Sequence, residues 1–92
     1  MPQLFRMGKY RIYFWSNEGD PLEPIHFHIS EGKPSKNATK VWLLKNGKCR
    51  IENNNSRIPD KTLNNIIKFM EGVSDVVEDR WKEHFGDIFY VD

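Results

Sequence analysis

Ninety-two residues, 29% of them charged and 38% apolar, make one domain over residues 1–92 with room for a single modest core. No run approaches the ~20 apolar residues of a membrane span. No export leader stands at the start, so the expectation is a cytoplasmic chain with no membrane partner. Cys49 is the only cysteine and closes no internal disulfide, in keeping with a reducing compartment. The net charge of +1 hides an uneven distribution. Residues 1–50 carry nine Lys/Arg against four Asp/Glu, and residues 51–92 carry five against nine. Such a split suits either an anionic partner for the first half or attraction between the halves.

Gln3–Arg6 reads as a short β segment, followed by a turn at Gly8-Lys9. Tyr10–Trp15 is the clearest strand, aromatic and β-branched, with Tyr10, Ile12 and Phe14 on one face and Arg11, Tyr13 and Trp15 on the other. Ser16–Pro24 is rich in turn-forming residues and longer than a tight hairpin needs. The run Glu23-Pro24-Ile25-His26-Phe27-His28-Ile29 then reads as a strand. Ile25, Phe27 and Ile29 share its apolar face, and His26 and His28 share the other. Gly32–Asn37 is a second loop and Ala38–Leu44 a third strand, with Thr39, Val41 and Leu43 alternating against Lys40, Trp42 and Leu44. Asn46-Gly47 signals a type I′ hairpin that returns Lys48–Ile51, with Lys48 and Arg50 facing away from Cys49 and Ile51.

Beyond Pro59 the period changes. Leu63, Ile66, Met70, Val73, Val77, Trp81 and His84-Phe85 recur at steps of three and four, one apolar stripe on a helix. Pro59 and Asp60 suit its first turn and Gly86 its C-terminal stop. Unbroken, it would run about 26 residues, roughly 39 Å. Gly72 is its weak point, where a kink or a division into two helices would fall. Asp87–Val91 is β-prone and would suit an edge strand or a partner. The expected fold is α+β: an antiparallel sheet of four or five strands with a long C-terminal helix, straight or kinked, on one face.

The faces turned from the core then carry Arg11, Tyr13, Trp15, His26, His28, Lys40, Trp42, Lys48 and Arg50, a basic and aromatic surface around two histidines. Same-face neighbours on a strand lie roughly 6–7 Å apart, so two imidazoles would flank a phosphate. Histidine changes charge near neutrality and suits the general base and acid of RNA cleavage without a metal. Arg11, Lys40 or Arg50 would stabilise developing charge, and Tyr13, Trp15 and Trp42 would stack on unpaired bases. Glu18 or Glu23 would orient the histidines. The same carboxylates with His26 and His28 would alternatively make a two-His-one-carboxylate metal set, although no resident metal or other cofactor is the primary expectation. The tryptophans serve equally well as anchors for a protein partner.

Phe5-Arg6…Gly8…Tyr10-Arg11-Ile12-Tyr13-Phe14, Ser16-Asn17-Glu18 and Glu23-Pro24-Ile25-His26-Phe27-His28-Ile29 resemble the small bacterial family catalogued as domain of unknown function 4160. Lys40-Val41-Trp42-Leu43, Ile58-Pro59…Leu63…Ile66 and Trp81…His84-Phe85 extend the resemblance over nearly the whole chain, whose loop before the histidines is longer than the family's. The resemblance implies a toxin-like component of a bacterial two-protein module, resembling a toxin–antitoxin pair, with a small cognate protein encoded nearby. It supplies no catalytic residues. Two readings stand: a toxin-like protein acting on RNA through the histidine face, with ribonuclease activity as one form of this, and a non-enzymatic interaction or regulatory module using the same face. Homodimerisation is compatible with either.

Overall fold

The computed structural model describes residues 3–18 and 21–92, with Glu18 described by its backbone. Five strands, β1 (Gln3–Met7), β2 (Tyr10–Tyr13), β3 (His26–Glu31), β4 (Thr39–Leu43) and β5 (Cys49–Asn53), precede two helices, α1 (Asp60–Gly72) and α2 (Ser74–Phe85). A 3-10 turn spans Ser16–Glu18. The strands form one antiparallel sheet in the order β1-β2-β3-β4-β5, so each pairs with its neighbour in sequence.

The alternation read along the strands decides which side chains join the helix-side core. Tyr10, Ile12, Phe14, Ile25, Phe27, Ile29, Val41 and Leu43 form one core with Leu63, Ile66 and Met70 of α1 and Val77 and Trp81 of α2. Phe27 and Ile29 are wholly buried, as the helix-side face requires. Phe14 and Ile25 lie just outside the strands yet keep their parity and their burial. The histidine strand begins at His26, since the Ile25 N–H is given to the tail rather than to a neighbouring strand.

Three expectations need correction. The long helix is two helices of 13 and 12 residues. Gly72 ends the first, and Val73 leaves helical geometry at φ −119°, ψ 25° before Ser74 begins the second. Glycine is the poorest helix former after proline, and a β-branched residue follows it, so the break falls where the helix gains least. The stripe runs through regardless, and Met70 and Val77 are both buried. Second, the Asn46-Gly47 turn is not type I′, which would place both residues at positive φ. Only Gly47 is there, at 82°, and its N–H returns to the Leu44 carbonyl at 3.0 Å. A Cβ at Gly47 would stand 3.1 Å from Ser74 Oγ, so the turn is pressed against the start of α2. Third, the tail adds no edge strand. It lies across the sheet's end, where Ile25 N–H donates to the Phe89 carbonyl at 2.8 Å. The Tyr90 hydroxyl donates to Glu78, and that bond pushes the phenol up to about 12. Gly86, in the left-handed region, closes α2 as expected.

Candidate functional site

Register brings the sequence candidates onto one face. Tyr13 stands opposite His28, His28 opposite Lys40, His26 opposite Trp42, and Trp42 opposite Arg50. The rings form a connected cluster. His26 and His28 lie 5.0 Å apart between centroids, Tyr13 is 5.7 Å from His28, Trp42 is 5.5 Å from His26, and Trp15 is 5.3 Å from Tyr13. Lys40 Nζ sits 4.3 Å above the Trp42 ring, a cation–π contact. Arg11 is half-buried beside this cluster, opposite Ser30. Lys48 precedes β5, exposed at the hairpin.

The face is less open than the sequence suggested. His26 is 0% and His28 7% exposed, and Tyr13 is fully buried. His26 Nδ1 lies 2.8 Å from the Pro24 carbonyl. A carbonyl only accepts, so Nδ1 carries a proton and donates it. On its other side the His26 ring meets Trp81 of α2 at 5.3 Å. His26 therefore joins the histidine face to the helix layer at the sheet's end. What stays accessible is a rim: half-buried Trp15, Trp42, Lys40 and Arg11, with exposed Arg50 and Lys48.

The charge is also more balanced than expected. Glu23, proposed to orient the histidines, pairs with Lys40 at 3.6 Å. Trp42 Nε1 donates to Glu52 Oε1 at 2.7 Å. Sequence reasoning missed Glu52 because it ended the last strand at Ile51; the signal was its place two residues beyond Arg50 on the same face. The side chain of Glu18 lies outside the described residues. Among the described residues no group of three or more His, Cys, Asp or Glu is placed to hold a metal. Cys49 lies toward the helix side, its backbone N–H donating to Glu71 Oε2 at 2.9 Å. Burial, and then the Glu71 charge, pushes its thiol up to about 12, so it stays protonated and a poor ligand or nucleophile at neutral pH.

Two residues the sequence did not single out border the cluster. A cleft of about 440 Å³ is lined by Trp15, Asn17 and Lys36. The loop carrying Lys36 is tied down by Tyr13, whose hydroxyl donates to the Ser35 carbonyl at 3.2 Å and accepts from the Ser35 N–H at 3.1 Å. The composition of residues 32–37 marked a loop, but only the fold puts Lys36 beside Trp15. The third histidine, His84, is exposed and stacks edge-on against Phe14 at 5.6 Å.

An α+β domain with a two-layer core and a ring-lined, rimmed sheet face is the class these observations define. Residues 10–82 match the family described as domain of unknown function (DUF4160), and the chain belongs to that family. The matched span takes in every strand residue of the candidate face and both helices up to Lys82. Comparison with curated proteins gives no match, and neither does comparison with solved structures. No helix among the described residues is long and apolar enough to cross a membrane.

Proposed function

We propose that the chain is the toxin-like member of a bacterial, cytoplasmic two-protein module and that it binds single-stranded RNA with the rim of its histidine face. The observation that carries this reading is the row of half-buried indoles with cations beside them: Trp42 under Lys40, and Trp15 sharing a cleft with Lys36. Single-stranded nucleic acid is held by this combination, bases on aromatic faces and phosphates on cations. The buried histidines favour binding over cleavage. Their rings buttress Tyr13, Trp15 and Trp42 from within, and a phosphate reaches the rim before it reaches His26. The neighbouring small protein of the module would then cover or compete for the same rim.

A second reading, a protein-interaction module, is favoured by the acids Glu23 and Glu52, which neutralise part of the face. Binding of short single-stranded RNA across a salt series separates the two. Three phosphate contacts give a log–log slope of roughly −2. Lys36→Ala weakens binding and flattens the slope by about 0.7, whereas Trp42→Ala weakens binding at unchanged slope, since stacking releases no ions. No binding at low salt would sink the RNA reading. Cleavage of the RNA, lost in both His26→Ala and His28→Ala, would replace binding by catalysis.

A further inference from the structure

Strand β5 ends the sheet, so its outer edge faces no other strand among the described residues. In an antiparallel ladder alternate residues point their N–H and C=O toward the neighbouring strand, and those between point away. Cys49 points away from β4, because its N–H reaches out to the Glu71 carboxylate. Ile51, two residues on, has the same orientation. Its side chain is 42% exposed. Arg50 and Glu52 flank it on the histidine face: Arg50 stands opposite Trp42, and Glu52 accepts from the Trp42 indole.

We infer that β5 pairs antiparallel with β5 of a second copy of this chain, about a two-fold axis at Ile51. A two-fold contact uses the same patch twice and must be self-complementary. The sequence Arg50-Ile51-Glu52 meets that demand. With Ile51 opposite Ile51, Arg50 of each copy faces Glu52 of the other, so two opposite-charge pairs form at once around an apolar pair. Centring the axis on Arg50 or on Glu52 instead puts like charges directly opposite, which is destabilising. The charges thus select one register. The two Ile51 residues exchange N–H···O=C bonds at the axis, where each N–H and C=O points outward.

The contact is short. Glu71 already takes the Cys49 N–H, and the β4–β5 register shifts between Lys40 and Val41, next to Ile51. An interface this small gives a concentration-dependent dimer rather than an obligate one. It joins two five-stranded sheets edge to edge and brings the two histidine faces to one side. Arg50 then belongs to the interface, leaving Lys36, Lys40 and Arg11 to the rim. The inference does not depend on what the rim binds.

Sedimentation equilibrium of the full chain over a wide concentration range tests it. Wild type is expected to show a reversible monomer–dimer equilibrium. Arg50→Glu and Glu52→Arg each weaken association by at least about tenfold, since each change makes two repulsive pairs. The double variant R50E/E52R restores association, because the charges are exchanged with their complementarity kept. Ile51→Lys abolishes it. In the unmutated chain, the Ile51 amide gains protection from hydrogen exchange as concentration rises. A wild type that stays monomeric at the highest concentration overturns the inference. So does a dimer indifferent to Ile51→Lys, or a folded double variant no better associated than the single ones. An Ile51 amide whose exchange is independent of concentration also overturns it, with no substitution involved.

Discussion

Beneath the helices, Ile12, Phe27, Ile29, Val41 and Leu43 are closed off by aliphatic side chains and Trp81, while on the other side His26 and His28 are closed in among Tyr13, Trp15 and Trp42. The first layer, the Trp81 indole N–H aside, asks for volume and shape, which many apolar sets would satisfy. The second is built from rings with polar atoms, and each polar atom taken from water needs a partner. His26 has the Pro24 carbonyl, Tyr13 the Ser35 backbone, and Trp42 the Glu52 carboxylate. A protein does not need two buried layers of this kind for stability alone. The costlier layer, rimmed by indoles and cations, is where function is to be sought.

Trp81 belongs to both layers, since it packs on Phe14 at 5.0 Å and on His26 at 5.3 Å. Trp81→Ala is therefore expected to produce the largest loss, about 3–5 kcal/mol in urea unfolding, and to perturb the nitrogen shifts of His26. A loss below about 1 kcal/mol would show that the layers are not coupled through this ring. His26→Ala comes next, at about 2–4 kcal/mol, from a cavity plus the abandoned Pro24 carbonyl. His26→Phe fills the cavity without the hydrogen bond and is expected to recover part of that loss; full recovery would mean that the bond contributes nothing. Tyr13→Phe, which keeps the ring and removes the hydroxyl, is the smallest change, at about 1 kcal/mol. Its distinctive sign is faster exchange of the Ser35 amide, whose N–H donates to that hydroxyl. Unchanged exchange would dissociate the loop from the ring cluster.

Much of this comparison is written in the strands. The parity of Ile25, Phe27 and Ile29 against His26 and His28 placed both faces correctly, because a strand with one buried side tolerates no slip. Depth was not legible. Whether a histidine on the far face meets water depends on loops that cross it and on a tryptophan from the second helix, and no periodicity reports that. The break at Val73 was hidden by the apolar stripe, whose spacing continues through it; only Gly72 marked the place. The turn at Asn46-Gly47 carried the right residues for type I′ and adopted another form, pressed against Ser74. The acids that temper the face lie at a strand end and before a proline, where faces are hardest to assign.

The strand order has a consequence for how the chain reaches this state. Because every strand pairs with the one just before it, each hairpin closes over a short stretch and the sheet grows in the order of synthesis. The two helices follow all five strands, and Leu63, Ile66, Met70, Val77 and Trp81 bring most of the helix-side core with them. A nascent chain therefore holds a formed but uncovered apolar surface until residues beyond Asp60 emerge. During that interval the growing protein is open to chaperones and to sticking, and synthesis of its last third is what ends the exposure.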